Sequence, residues 1–352
     1  MISFYPGPSR VYPKVSRYMQ DAYKEGVLSI NHRSNAFMEI SKKAINGIRV
    51  KLNVPKSYTV YFLTSATECW EVIAESFVQR ESIHIYNGAF GEKWCAYTEK
   101  LVPNVGRKPF DREVQLNADQ LKFNTGELIC ITQNETSNGT QVGTDILKAA
   151  RKNNPNHLLA VDATSSMAGI ALDFSVADIW FASVQKCFGL PAGLAVMICS
   201  PRALERAQSI NNRKHYNSML FLDDMIKKAQ TPCTPNVLNI YLLMRVMSEV
   251  KGIESIHKTI TGRFKKWETF FDTKSNKLNL LIKNPIVRSH TVLPIESTPA
   301  LIEKVKTQAA KKGFLLGDGY GALKSTTFRI ANFPALRKNE IAQLMDFLYD
   351  FI

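Results

Sequence analysis

The feature that most constrains this chain is an alternation through its middle. Short apolar, β-prone runs take turns with stretches of helical period. Tyr58-Thr-Val-Tyr-Phe-Leu63, Ser82-Ile-His-Ile-Tyr86, Leu128-Ile-Cys-Ile-Thr132, Leu158-Leu-Ala-Val161, Ile179-Trp-Phe-Ala182 and Leu194-Ala-Val-Met-Ile198 read as strands. Residues 66–79, 90–100 and 144–152 read as helices, the first with an apolar face of Trp70, Val72, Ile73 and Phe77. Strands this apolar need cover on both faces. Alternating helices supply it from both sides of a mostly parallel sheet, so the expected fold class is α/β.

After about Val250 the texture changes. A long helical stretch (253–271) leads into a strand at Arg288–Leu293, a helix at 298–312, a strand at Thr327–Ala331 and a helix at 338–351. That pattern predicts a smaller C-terminal α/β domain, with the Pro-rich N-terminus packed near it. We expect a large domain over 15–250, and a small one built from 1–14 and 251–352. The length of 352 residues suffices for two packed units.

Composition removes several classes of function. With 45% hydrophobic and 22% charged residues the chain is globular rather than disordered. No apolar run approaches the roughly 20 residues of a membrane span. The start, Met1-Ile-Ser-Phe-Tyr-Pro-Gly-Pro8, lacks a basic and apolar leader, so a cytosolic protein is expected. The formal charge is +14, but the basic pairs (Lys42-Lys43, Arg151-Lys152, Lys227-Lys228, Lys265-Lys266, Lys311-Lys312) are scattered. Scattered pairs argue for a solvated basic surface, favourable to small anions, rather than a nucleic-acid or membrane stripe. The six cysteines form no C-x-x-C pair and have no histidine at metal-ligand spacing, so we expect free thiols and no metal.

Polar and small residues cluster just after the strands: Thr64-Ser-Ala-Thr-Glu68, Asn134-Glu-Thr-Ser-Asn-Gly139, Asp162-Ala-Thr-Ser-Ser166 and Ser183-Val-Gln-Lys186. Ligands of open α/β sheets bind beyond the carboxyl ends of the strands, so these four should share one pocket. Lys186, flanked by Val184, Cys187, Phe188 and Leu190, is poorly placed for solvent. Burial lowers a lysine pKa and exposes a nucleophilic amine able to form a Schiff base with an aldehyde. The ordinary alternative is a lysine snorkelling from a loop. Asp162 closes a neighbouring strand, where it can cap a turn or hold a cofactor's ring nitrogen protonated. Ser65-Ala-Thr67 opens a helix whose free N–H groups can bind a phosphate or simply be capped. Phe90 can stack on a flat ring or fill core. Gly317-Asp-Gly-Tyr-Gly321 reads as a turn.

Taken together, the strand-end Asp162, the S-x-Q-K lysine and the Pro6-Gly-Pro8 start resemble the class V, fold type I pyridoxal-phosphate aminotransferases. Within that class the chain is most similar to the phosphoserine aminotransferases, through Asn31-His-Arg-Ser34, Asn134-Glu-Thr136, Ser165-Ser166, Pro191-Ala-Gly-Leu194, Thr234-Pro235 and Ile240-Tyr-Leu-Leu243. The resemblance implies pyridoxal 5'-phosphate as cofactor and Lys186 as the Schiff-base lysine. It implies Asp162 at the ring nitrogen, Thr136 at the ring hydroxyl and Phe90 in the stacking position. Ser65, Ala66, Thr67 and Gln185 would meet the cofactor phosphate, with Thr234 reaching it from a partner subunit. Arg329 would grip the substrate α-carboxylate. His32 and Arg33 would contact the distal phosphate of a substrate in the neighbouring site, which makes the protein a homodimer.

Two departures qualify the likeness. Many phosphoserine enzymes carry a glycine-rich, arginine-containing phosphate loop where this chain has Thr64-Ser-Ala-Thr-Glu68. The His-Arg pair expected shortly before Arg329 is replaced by Ala322 and Leu323, leaving Lys324 as a conceivable substitute. The expected activity is amino transfer between phosphoserine and 2-oxoglutarate. The alternatives are alanine- or serine-glyoxylate transamination and, from another class, a basic nucleic-acid-binding protein.

Overall fold

The structure, a computed structural model, describes residues 1–274 and 277–352. Its largest element is a seven-stranded sheet. From edge to edge the strands are Thr59–Leu63, Ala195–Cys199, Ile179–Ser183, Leu158–Asp162, Leu128–Thr132, Glu81–Tyr86 and Asn104–Pro109. All neighbours pair in parallel except Ala195–Cys199, which runs antiparallel to both of its partners. The two-residue period of a strand divides the side chains cleanly between the faces. Val60, Phe62, Ile129, Ile131, Leu159, Val161, Trp180 and Val196 enter one core. Tyr61, Leu63, Leu128, Cys130, Ala160, Phe181 and Met197 enter the other. Helices cover both faces, as the double-sided apolarity requires.

A second, five-stranded sheet has the order Ile2–Phe4, Phe314–Asp318, Thr327–Ala331, Val292–Glu296, Asn279–Leu280. Ile2–Phe4 pairs in parallel with Phe314–Leu316, which places the N-terminus in the C-terminal sheet. Phe4, Trp267, Phe271, Leu293, Ile295, Phe328, Ile330 and Leu344 form its core. The helix Pro299–Lys311 starts behind Thr298, whose hydroxyl accepts from the Leu301 N–H; its first residue is proline, which has no N–H to leave unpaired.

One strand falls later than its sequence suggests. Arg288–Leu293 was expected; the observed strand is Val292–Glu296. Arg288 and Ser289 are diverted from the ladder by other partners. The Arg288 guanidinium pairs with Glu268 at 3.0 Å and Asp272 at 3.2 Å. The Ser289 N–H donates to the Gly139 carbonyl, and its hydroxyl donates to Asn134. Helices at Val15–Lys24, Asn35–Leu52, Pro201–Ile210, Met219–Ile226 and Val237–Glu249 complete the large layer. The last of these is packed on nearly all sides, with Ile240, Tyr241, Leu242, Leu243 and Val246 buried, and so shows no amphipathic stripe to read.

Candidate active site

The register of the large sheet builds the site. Thr132, Asp162 and Phe181 lie side by side across three parallel strands. Ser183 faces Ala195, which faces Leu63. The strand ends therefore open together onto a cavity of about 250 Å³, whose lining includes Ala66, Thr67, Phe90, Asp162, Gln185 and Lys186. All four polar clusters read from the sequence meet at this edge.

Lys186 follows the Ile179–Ser183 strand and is only 8% exposed. Its ammonium donates to Thr136 Oγ1 at 2.9 Å and to Ser165 Oγ at 3.3 Å, and those two hydroxyls bond each other. Burial lowers its pKa to about 8, with the charge of Asp162 opposing the shift. It does not snorkel. Gly189 turns the chain after it with φ +62, where a side chain would be strained and its Cβ would sit 2.7 Å from the Tyr12 ring. From above, the N-terminal segment closes over the lysine. Ser9 donates through its N–H and hydroxyl to the Gln185 carbonyl, at 2.9 and 2.8 Å. Gly7 lies so near that a Cβ there would be 3.1 Å from Lys186 Cε.

Asp162 is the last residue of its strand and accepts from the Thr164 N–H at 2.9 Å. Burial pushes its carboxyl up to about 6, opposed by the Thr164 hydrogen bonds and by the charge of Lys186. At neutral pH the cavity therefore holds one carboxylate and one ammonium in a place that disfavours both charges.

The helix Ala66–Phe77 points its N-terminus at the cavity, with Ser65 as cap: its hydroxyl accepts from the Glu68 N–H at 3.1 Å. The Ala66 N–H, expected to be free for a phosphate, donates instead to Ser183 Oγ at 2.9 Å. The helix Ala89–Thr98 brings Phe90 to the opposite wall, where Lys186 Nζ lies 5.3 Å from its ring centroid. The buried Glu135 carboxylate fixes that helix start by accepting from the Phe90 and Gly91 N–H groups at 3.2 and 3.1 Å. Arg329 comes from the second sheet, in the Thr327–Ala331 strand. It donates to the Asp318 carbonyl at 2.7 Å and to the Thr136 carbonyl at 2.9 Å, which ties it to the Lys186 cluster.

Five residues were not anticipated. Trp70, Tyr97 and Thr132 line the cavity, as does Lys93, and Tyr320 packs on Phe90 with centroids 5.1 Å apart. Thr132 was legible as the strand-end neighbour of Asp162, and Lys93 as the residue one helical turn after Phe90. Tyr320 lay in a segment read only as a turn. Three other expected residues lie apart. Arg33 is exposed at the start of the Asn35–Leu52 helix and donates to Gln230 at 2.8 Å. His32 beside it packs edge-on to Phe37, and Thr234 is exposed. None of the three lines the cavity within this chain. Lys324 is also exposed, as is Ala322. A larger, more open cleft of about 570 Å³ lies between Tyr12, Tyr18, Ile256 and Arg263. Tyr12, Tyr18, Glu249 and Arg263 are shifted there too, but its Lys14–Glu249 pair is solvent-exposed, whereas the smaller cavity brings a buried amine and a buried carboxylate together, which marks it as the candidate site.

Residues 4–269 match the family model described as Aminotransferase class-V. The chain belongs to this family of pyridoxal-phosphate-dependent transaminases, and its fold is that of the fold type I members. Within the family it is most like the phosphoserine aminotransferases. It is 25% identical to the phosphoserine aminotransferase of Corynebacterium glutamicum (strain R), covering 98% of this chain and 93% of the relative. A solved phosphoserine aminotransferase from Cytophaga hutchinsonii superimposes with a TM-score of 0.96 at 32% identity, over 100% of this chain and 99% of the other. An aspartate aminotransferase from Thermus thermophilus shares the fold, with a TM-score of 0.88 at 20% identity over 99% and 98%.

The residues present fit the cofactor. Trp70 Nε1, Thr132 Oγ1 and Gln185 Oε1 are buried around the cavity with no partner among the described residues, an arrangement that a polar aromatic guest relieves. A helix N-terminus, a buried carboxylate, an amine and an aromatic wall stand ready for a phosphate, a ring nitrogen, an aldehyde and a ring face.

Proposed function

We propose that the chain transfers an amino group between phosphoserine and 2-oxoglutarate, on a cofactor held by Lys186. The observation that carries the reading is Lys186 itself: buried, held by Thr136 and Ser165, and sharing a small cavity with Asp162. When bound, pyridoxal phosphate supplies an aldehyde that couples to amines and a protonated ring that accepts the electron pair left at the substrate Cα. Asp162 keeps the ring nitrogen protonated. Thr136 offers its hydroxyl to the ring oxygen, and Phe90 with Trp70 confines the ring. Ser65, Thr67 and Gln185 hold the phosphate at the head of the Ala66–Phe77 helix, and Ala66 joins them where Ser183 yields its N–H. Arg329 grips the substrate α-carboxylate through its planar guanidinium. Once free of the cofactor, the Lys186 Nζ amine would take the proton from the substrate Cα and return it at the cofactor's C4′, two atoms away across the linking nitrogen.

His32, Arg33 and Thr234 act in a partner's site, which makes the working unit a homodimer. Their placement away from this chain's own cavity supports that reading. We assign the large domain to 15–250 and the small domain to 1–14 with 251–352. The enzyme works in the cytoplasm, in amino-acid biosynthesis leading to serine.

A donor–acceptor panel tests the assignment. The purified, cofactor-loaded protein should show half-reaction spectral changes with phosphoserine and with glutamate. Preference for alanine or serine with glyoxylate would replace it with the sister activity.

A further inference from the structure

Lys93 sits one helical turn beyond Phe90, on the same face of the Ala89–Thr98 helix. Its ammonium lines the rim of the cavity and donates to the Tyr320 hydroxyl at 2.6 Å. It lies 5.2 Å from the Tyr320 ring centroid and 6.0 Å from that of Phe90. Among the described residues it makes no ion pair. Its partners are thus a neutral phenol and two ring faces, which orient a cation without neutralising it. The Tyr320 bond also holds its pKa above the ordinary lysine value, so it stays charged.

A second cation shares the same ring. The Arg329 guanidinium carbon lies 5.6 Å from the Tyr320 centroid. Tyr320 therefore stands between two positive groups, one from each sheet layer: Lys93, which lines the cavity, and Arg329, which is bonded to the carbonyl of the cavity residue Thr136. Two cations on one ring, neither in an ion pair with a carboxylate among the described residues, match a short substrate with an anion at each end. Lys324, the substitute suggested by sequence, is exposed and does not line the cavity.

We propose that Lys93 binds the distal anion, a phosphate or a γ-carboxylate, of substrates whose α-carboxylate is held by Arg329, and that Tyr320 is its positioning residue. This rests on the aminotransferase reading above but not on phosphoserine being the donor.

Calorimetric titration of the cofactor-loaded enzyme with glutarate and with pentanoate, which lacks the second carboxylate, tests it. The wild type should bind glutarate more tightly. Lys93→Gln should lose about 10- to 100-fold in glutarate affinity, the range for a hydrogen bond to a charged group, with a much smaller change for pentanoate. Lys93→Arg should recover most of the loss, and Tyr320→Phe should show a smaller, selective one. In turnover the effect should fall on the KM for phosphoserine and 2-oxoglutarate rather than on kcat. Unchanged glutarate affinity in Lys93→Gln, or equal losses for both ligands, would overturn the inference while leaving the phosphoserine reading intact. A wild type that ignores phosphoserine yet loses glutarate selectivity on Lys93→Gln would overturn the donor assignment and keep Lys93.

Discussion

The strand-end cavity and the Asn31–Ser34 corner make an instructive pair. In the cavity, Lys186, Asp162, Thr136 and Arg329 are each no more than 8% exposed and are joined by a continuous set of hydrogen bonds or charges. At the corner, the Arg33 guanidinium reaches Gln230 and a methionine sulfur among the described residues, on an exposed surface. One region is buried and tied together within the chain; the other has its polar groups facing outward. The division suits a reaction in which bond-making groups must be fixed and desolvated, whereas groups that distinguish substrates can come from elsewhere.

This contrast can be broken in graded steps. Lys186→Ala should be the most severe, lowering kcat by about 10³-fold or more and removing the visible absorbance of the loaded enzyme, since it deletes both the anchor and the proton carrier. Asp162→Asn should cost about 10²- to 10³-fold in kcat with the cofactor still bound, measured by single-turnover absorbance. Arg33→Ala should raise the KM for phosphoserine about 10- to 100-fold and hardly affect serine, because only the former carries a distal phosphate. Equal losses for the two donors would return Arg33 to a structural role. Mixing inactive Lys186→Ala subunits with impaired Arg33→Ala, Thr234→Ala subunits should raise phosphoserine turnover above that of either alone; no gain would show that the sites are not shared.

The smallest effect is on pH. Only the neutral Lys186 amine attacks, and burial holds its pKa near 8. The rate of cofactor coupling to the apoprotein should rise as pH increases through about 8 and level off above it, followed by stopped-flow absorbance. Below about 6 the Asp162 carboxyl takes up its proton and cofactor affinity should fall. A flat profile across both ranges would show that neither group faces the cofactor.

Much of this was written in local sequence. Strands apolar on both faces announced the sheet, and the residues after its parallel strands had to lie on one edge, so Asp162 and Lys186 could be brought together from the sequence. The long helix Val237–Glu249 was not recognised because burial on nearly all sides erases its period. Arg288 misled for another reason: its ion pairs with Glu268 and Asp272 draw it out of a strand that its neighbours favour. Lys93 and Tyr320 lie 227 residues apart in sequence, and only tertiary packing shows that they meet. Ser183, a strand-end serine, gave no hint that it would occupy the Ala66 N–H.

The N-terminal segment couples the two layers. Ile2–Phe4 is seated by Phe314–Leu316 in the small sheet, while Gly7 and Ser9, a few residues on, roof Lys186 in the large one. A sliding of the small sheet against the large one would therefore pull directly on the cover of the reactive amine, so that domain movement and access to the lysine are mechanically one event.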